Sequence, residues 1–226
     1  MSGAGAGELD AGESEARGEL DERFNAGRYS GALGLGHNKQ RETMKREYPR
    51  WFSPSLGRDM EMLIFGHGGL PALVFPTSCG RFFEFEDQGM VGAVQGQLEA
   101  GEVQLFCVDS VDAESWYNRE VESRWKIARH MQYENYVMSE VLPLLRKMNW
   151  SNNLVAMGCS FGAYHAMSMA FRYPDVFKAA LSMGGAFDVS NFLRGYYDSD
   201  CYFHLPTHFL PNMQDCLLYT SDAADE

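Results

Sequence analysis

The residues best placed to do chemistry lie in Asn153-Leu154-Val155-Ala156-Met157-Gly158-Cys159-Ser160-Phe161-Gly162-Ala163-Tyr164-His165-Ala166. A short apolar run reads as a buried strand, a Gly-x-Ser-x-Gly turn follows, and small and apolar residues lead away as a helix, the context of a nucleophile elbow. A free serine hydroxyl is a weak nucleophile. It has to be presented to substrate, deprotonated by a base and paired with donors for the oxyanion. The turn supplies presentation, because glycine at 158 and 162 lets strand and helix pack where a Cβ would collide. A helix beginning at Phe161 aims its unpaired N–H groups at Ser160. Ser160 is therefore the expected nucleophile, with the Phe161 backbone N–H as one oxyanion donor.

A second donor is expected from the loop after the apolar run Pro71-Ala72-Leu73-Val74-Phe75, at the Ser78 backbone, with Thr77 beside it as a substrate contact. Trp116 and Tyr117, on the polar loop 109–118, are candidates to line the acyl or alcohol pocket, although aromatic residues on such a loop serve as often as packing anchors. Asp109, Asp112 and Glu114 on that loop read as solvated acids, and Glu134 as a surface residue of a long helix. His165 reads as a packing or capping residue of the elbow helix. His204 and His208 fall in a segment that looks like a surface loop, and Asp188 follows the strand after the elbow. The cysteines lie near no histidine at metal-ligand spacing, and the expected chemistry needs no metal or cofactor.

The elements that must position these groups follow from periodicity. Residues 48–53 and 60–65 are aromatic or β-branched runs around turn chemistry at 54–59, which predicts an antiparallel hairpin. Residues 71–75, 103–108, 154–159 and 177–183 are continuous apolar runs, as in strands buried on both faces. Between them, 86–101 follows a helical face weakened by Gly92 and Gly96, and 123–147 predicts a long helix that Pro143 should kink or end. Alternating strands and helices build a mostly parallel α/β sheet with helices on both faces. Chemistry then gathers at the carboxyl ends of the strands.

Of 226 residues, 45% are hydrophobic, enough for one sizeable core, and the formal charge of −12 with no basic run argues against nucleic-acid binding. No apolar window is long enough for a membrane span, and the first 30 residues lack a signal-peptide core. Cys79, Cys107, Cys159, Cys201 and Cys216 form no Cys-x-x-Cys pair and read as free thiols, so a cytoplasmic setting is expected. The composition fixes no oligomeric state.

Both ends differ from the middle. Residues 1–43 hold nine of the 23 glycines and almost no β-branched or aromatic residues, and are expected to be disordered. Met44 could be the true start. Residues 216–226 resemble the conceptual translation of a sequencing adapter, so they read as a non-native tail. The domain proper is expected over 44–215.

That body resembles the putative-esterase family of α/β-hydrolases, the group related to formylglutathione hydrolases and mycolyltransferases. The resemblance rests on four stretches: Tyr48 to Met60, Phe75-Pro76-Thr77-Ser78, Cys107 to Asn118, and Gly158 to Ala166. It implies that Ser160 is the nucleophile and that Ser78 and Phe161 border the oxyanion hole. It also implies that the acid and histidine lie on loops after two further strands, before which this chain ends. The expectation is an α/β-hydrolase domain lacking its C-terminal strands. Its partner would be a small-molecule ester or thioester hydrolysed through an acyl-serine, with little activity in this form. Two alternatives stand beside it: an acyltransferase on the same fold, and a non-catalytic α/β-hydrolase-like binding module.

Overall fold

The computed structural model describes residues 44–213. The expectations for residues 1–43 and for the tail at 216–226 fall outside these residues. All described residues belong to one compact unit.

The chain enters through two short strands, β1 (Arg46–Glu47) and β2 (Arg50–Ser53), which pair antiparallel with different halves of β3 (Arg58–Phe65). They read as one edge strand interrupted at Tyr48-Pro49, as suits a proline, which cannot donate to a ladder. The expected hairpin is thus present. β3 is also antiparallel to β5 (Val103–Val108), and from there the sheet is parallel: β5 beside β4 (Leu70–Phe75), β4 beside β6 (Leu154–Cys159), β6 beside β7 (Phe177–Met183). The order is β1-β3-β5-β4-β6-β7, with β2 also on β3.

Strands β4 and β5 are buried along nearly their whole length because both faces are covered. Leu73 and Phe75 point into one core, and Ala72 and Val74 into the other, as the two-residue period requires. The first core holds Tyr133, Tyr136, Val141 and Leu145 from the long helical segment and Ala166 and Met169 from the helix after the elbow. The second holds Phe82, Val91 and Leu98 from the connection between β4 and β5.

That connection departs from the single helix expected over 86–101. It forms three short turns, α1 (Glu84–Asp87), α2 (Met90–Ala93) and α3 (Gln95–Glu99). Gly89 sits between the first two at φ 74°, a left-handed conformation that ends a helix and that glycine adopts freely. The long segment is α4 (Ser123–Tyr136), a π-helical turn (Val137–Val141) and α5 (Leu142–Met148). The Leu142 N–H bonds the Val137 carbonyl, one residue wider than an α-helix. This widening just before Pro143 lets the helix carry a residue without an N–H, so the expected interruption takes the form of a π-bulge.

After the elbow come α6 (Phe161–Arg172) and β7. A loop-rich segment follows, with a 3₁₀ turn at Ser190–Leu193, α7 (Ser199–His204), α8 (Pro206–Phe209) and a last turn at Leu210–Asn212. Trp116, Phe161, Tyr164, Val189, Leu193, Cys201 and Leu205 join this segment to α6 in a third core. The segment is also tied to α4: Ser123 Oγ donates to the Leu193 carbonyl at 2.7 Å, and Lys126 Nζ to the carbonyls of Trp116 and Phe192 at 3.2 and 3.1 Å. No helix of the described residues is long and apolar enough to cross a membrane.

Candidate active site

Strand β6 ends at Cys159, and Ser160 turns the chain into α6 at φ 55°, ψ −116°. A serine at positive φ is strained, and such strain clusters where a side chain has to be presented. The turn is possible because of its two glycines. A Cβ on Gly158 would stand 2.3 Å from the Gly162 carbonyl group, and one on Gly162 would stand 2.4 Å from the Phe75 carbonyl oxygen and 2.5 Å from that of Pro76. Ser160 is anchored by its N–H to the Met183 carbonyl at 2.9 Å and by its carbonyl to the Ala163 N–H at 3.1 Å. Its side chain stays half-exposed. Phe161 opens a 12-residue helix, so its N–H has no intrahelical acceptor.

Strands β4 and β6 lie side by side, Phe75 opposite Gly158. The connection after β4 covers one face of the sheet and α6 covers the other. Adjacent parallel strands whose connections diverge leave a crevice at their carboxyl ends, the place where open α/β sheets bind ligands. The loop 76–80 and Ser160 both border that crevice.

Within the loop, Ser78 is exposed and its Oγ accepts from the Tyr117 hydroxyl at 2.7 Å. Thr77 is differently engaged: its N–H and its hydroxyl both donate to Glu84, at 2.7 and 2.6 Å. Neither proton of Thr77 is left for a ligand, so the expected substrate contact there becomes a structural one. Tyr117 is half-buried, its ring edge-to-face with Phe161 at 5.2 Å and Phe192 at 4.8 Å, and it borders the same crevice. Trp116 has no exposed surface and packs edge-on against Phe161, Tyr164 and Phe192. It supports the Phe161 end of α6 from within the third core instead of lining a pocket.

The acids of loop 109–118 are not all solvated as expected. Asp109 and Asp112 are buried, and only Glu114 reaches solvent, paired with Arg58 and Arg129. Burial pushes the Asp109 carboxyl above its ordinary range, opposed by a 2.8 Å hydrogen bond from Arg81. Asp112 meets His165 Nε2 at 2.9 Å, both side chains buried, which ties α6 to the end of β5. His165 is thus a packing residue stacked on Phe75.

A second buried cluster went unseen in the sequence. Glu134 and His204, expected at the surface, are both buried. His204 Nε2 lies 3.1 Å from one Glu134 oxygen and His130 Nε2 lies 3.5 Å from the other. The guanidinium of Arg172 contacts both oxygens, and the Tyr164 hydroxyl donates to the His204 carbonyl at 2.9 Å. Burial pushes His130 down to about 4. Burial also works against ionisation of Glu134, but hydrogen bonds from the two histidines outweigh it and hold the carboxyl well below its ordinary range. The His130, Glu134 and His204 ligand atoms lie within 4.8 Å of one another, a spacing open to a divalent cation. Arg172 already matches the Glu134 charge, however, and a cation added there would bury two uncompensated positive charges. Spacing of His130 and Glu134 by four residues on one helix was the only sequence signal for this cluster.

His208 lies on the surface against the Tyr197 hydroxyl at 3.1 Å. Asp188 is exposed, and hydrogen bonds from Ser190 lower its pKa. Among the described residues, no histidine makes a hydrogen bond to Ser160.

Comparison of this geometry with solved structures gives fold likeness at low identity. An S-formylglutathione hydrolase (FrmB) from Staphylococcus aureus aligns at a TM-score of 0.56 and 15% identity, over 80% of this chain and 74% of that one. A ferulic acid esterase aligns at 0.55 and 16%, over 72% and 70%. A fluorophosphonate-binding serine hydrolase, FphF of Staphylococcus aureus, aligns at 0.51 and 14%, over 75% and 73%. The mixed, mostly parallel sheet flanked by helices is the α/β-hydrolase fold of these esterases. A search of curated protein sequences returned no match. The sequence model of the family described as putative esterase matches residues 53–217, most of the chain, and this protein belongs to that family.

Proposed function

We propose that this protein is a serine hydrolase acting on a small carboxylic ester or thioester through an acyl-Ser160 intermediate. The observation that carries the reading is the elbow: a serine at φ 55°, half-exposed at the mouth of a sheet crevice, between two glycines that cannot bear a Cβ. Ser160 Oγ attacks the substrate carbonyl, and the developing oxyanion is met by the backbone N–H groups of Phe161 and of the loop after β4, with Ser78 as the donor. Collapse of the intermediate breaks the ester or thioester bond and expels the alcohol or thiol, which carries away the proton lost by Ser160, on the side that Tyr117 borders. Water then attacks the acyl carbonyl and regenerates the Ser160 hydroxyl. The reading needs no metal or cofactor for this sequence of steps.

Deprotonation of Ser160 needs a base. His130, His165, His204 and His208 are committed to Glu134, Asp112 or Tyr197. This supports slow turnover by the 226-residue chain, at the level that an oxyanion hole and binding alone sustain.

Labelling with a fluorophosphonate probe tests the reading, with imidazole added as an external base. Ser160 is expected to be labelled in the wild type, faster with imidazole, and Ser160→Ala is expected to remain unlabelled. Equal labelling of the two proteins would remove Ser160 from the mechanism.

A further inference from the structure

Four of the five residues of loop 76–80 are braced. The Pro76 carbonyl packs against Gly162, so closely that a Cβ there would be 2.5 Å away. Thr77 gives both its N–H and its hydroxyl proton to Glu84. Ser78 Oγ accepts from Tyr117. The Gly80 N–H returns to the Thr77 carbonyl at 2.9 Å, and the Gly80 carbonyl accepts from Ser110 Oγ at 3.0 Å. Among the described residues, the loop N–H groups left without an acceptor are those of Ser78 and of Cys79, which is held at φ 55°. Both residues are exposed at the mouth of the crevice, so these two donors are open to a ligand there.

We propose that Glu84 is the positioning residue of the oxyanion loop. Its carboxylate, an acceptor only, takes up the one N–H next to the crevice that would otherwise compete, and by holding both the N–H and the hydroxyl of Thr77 it orients the residue whose carbonyl, itself held by the Gly80 N–H, shares a peptide plane with the Ser78 N–H. Glu84 opens α1, seven residues beyond Thr77, so the loop closes on its own exit helix. Gly80 lets it close: a Cβ at that position would stand 2.5 Å from Glu84 Oε2. Glu84 does not touch substrate. It acts through Thr77 on the group that does, and the proposal rests on the reading of Ser160 as nucleophile.

The test uses the full chain, with fluorophosphonate labelling in imidazole as the functional readout and amide hydrogen exchange over residues 76–80 as the structural one. Glu84→Ala is expected to speed exchange at Thr77 by about 10-fold or more and to slow labelling of Ser160 by about 10- to 100-fold, below the 10²–10³ loss for deleting an oxyanion donor outright. Glu84→Gln is expected to restore labelling to within about 3-fold, because its carboxamide accepts the Thr77 N–H and donates to Oγ1, which turns to accept. Thr77→Val, which keeps the loop N–H and loses only the hydroxyl bond, provides a milder perturbation if Glu84→Ala folds poorly, with slowing of a few-fold expected. Labelling at the wild-type rate by folded Glu84→Ala, or by Thr77→Val where Glu84→Ala does not fold, overturns the proposal whatever happens to exchange. So does a Glu84→Gln variant as slow as Glu84→Ala. A wild type that is not labelled at Ser160 is a different result, and it removes the nucleophile reading together with everything built on it.

Discussion

Replacing Gly162 by alanine adds one carbon at the tightest point of the elbow. That Cβ would lie 2.4 Å from the Phe75 oxygen, 2.5 Å from the Pro76 oxygen and 3.0 Å from the Phe75 carbonyl carbon. An ordinary carbon–oxygen contact is about 1 Å longer, so one partner has to retreat by roughly that distance. The partner is backbone, and β4 cannot yield easily because it is hydrogen-bonded to β5 on one side and β6 on the other. The helix α6 must move instead, away from the sheet it packs on. Overpacking of this kind costs about 1–3 kcal/mol, and with two backbone clashes the upper end, about 3 kcal/mol, applies. Alanine recovers about 1 kcal/mol of helix propensity, for a net loss of about 2 kcal/mol. For a domain of this size that lowers Tm by about 4–8 °C. Gly96→Ala in α3 is the control, since nothing lies within 4 Å of its Cβ position; it is expected to raise Tm by about 1–3 °C. Differential scanning calorimetry of the two variants decides. A Gly162→Ala protein as stable as the wild type would show that strand and helix do not approach as described, and the geometric case for the elbow would go with it.

Ser160→Gly and Ser160→Ala both remove the hydroxyl, but only glycine relaxes at φ 55°, ψ −116°; urea unfolding should find the glycine variant about 1 kcal/mol the more stable, and equal midpoints would mean that the serine stores no backbone strain. Burial of His130 favours its neutral form, with a folded pKa of about 4 against 6.5, so the unfolded chain binds more protons between these values. Its contribution is fully present above pH 6.5 and is lost as pH falls towards 4, about 3 kcal/mol over the window, and His130→Leu should flatten that part of the stability profile measured by chemical denaturation. Arg172→Met leaves the buried Glu134 carboxylate with the two histidines alone and should cost about 3 kcal/mol; adding Glu134→Leu should recover part of the loss, and strict additivity in the double-mutant cycle would show that the two side chains do not interact.

What the sequence carried well was local. The elbow could be read because its chemistry sits in five consecutive residues, and the buried strands because continuous apolar runs have few other uses in an α/β order. Pro143 announced an interruption of the long helix, though not its form, since a π-bulge depends on what the neighbouring turn can accommodate. The buried polar pairs were illegible for a matching reason. His165 finds Asp112 across 53 residues and His204 finds Glu134 across 70, and each partner taken alone looks like a solvated group. Trp116 was ambiguous on its loop until α4, α6 and the Ser190–Leu193 turn closed around it. Glu84 is only seven residues from Thr77, yet it was hidden by the assumption of one helix over 86–101, which would have carried the chain away from the loop instead of folding it back.

The register of two strands explains why so little of the chain is needed to build the crevice. Phe75 and Gly158 are partners across β4 and β6, so residues the same distance beyond them leave the sheet at the same level. Three residues on, these are Ser78 and Phe161, the two proposed oxyanion donors. One is carried by a loop that turns to one face of the sheet and the other by a helix that turns to the opposite face, so their N–H groups can converge on the space that divergence opens. A one-residue slip of β4 against β6 would turn each strand's core residues to the wrong face and misalign the donors together. The apolar alternation of Ala72, Leu73, Val74 and Phe75 between two cores therefore fixes the site as firmly as any polar contact in it, and substitutions that weaken that alternation should reduce labelling of Ser160 without touching a residue of the crevice.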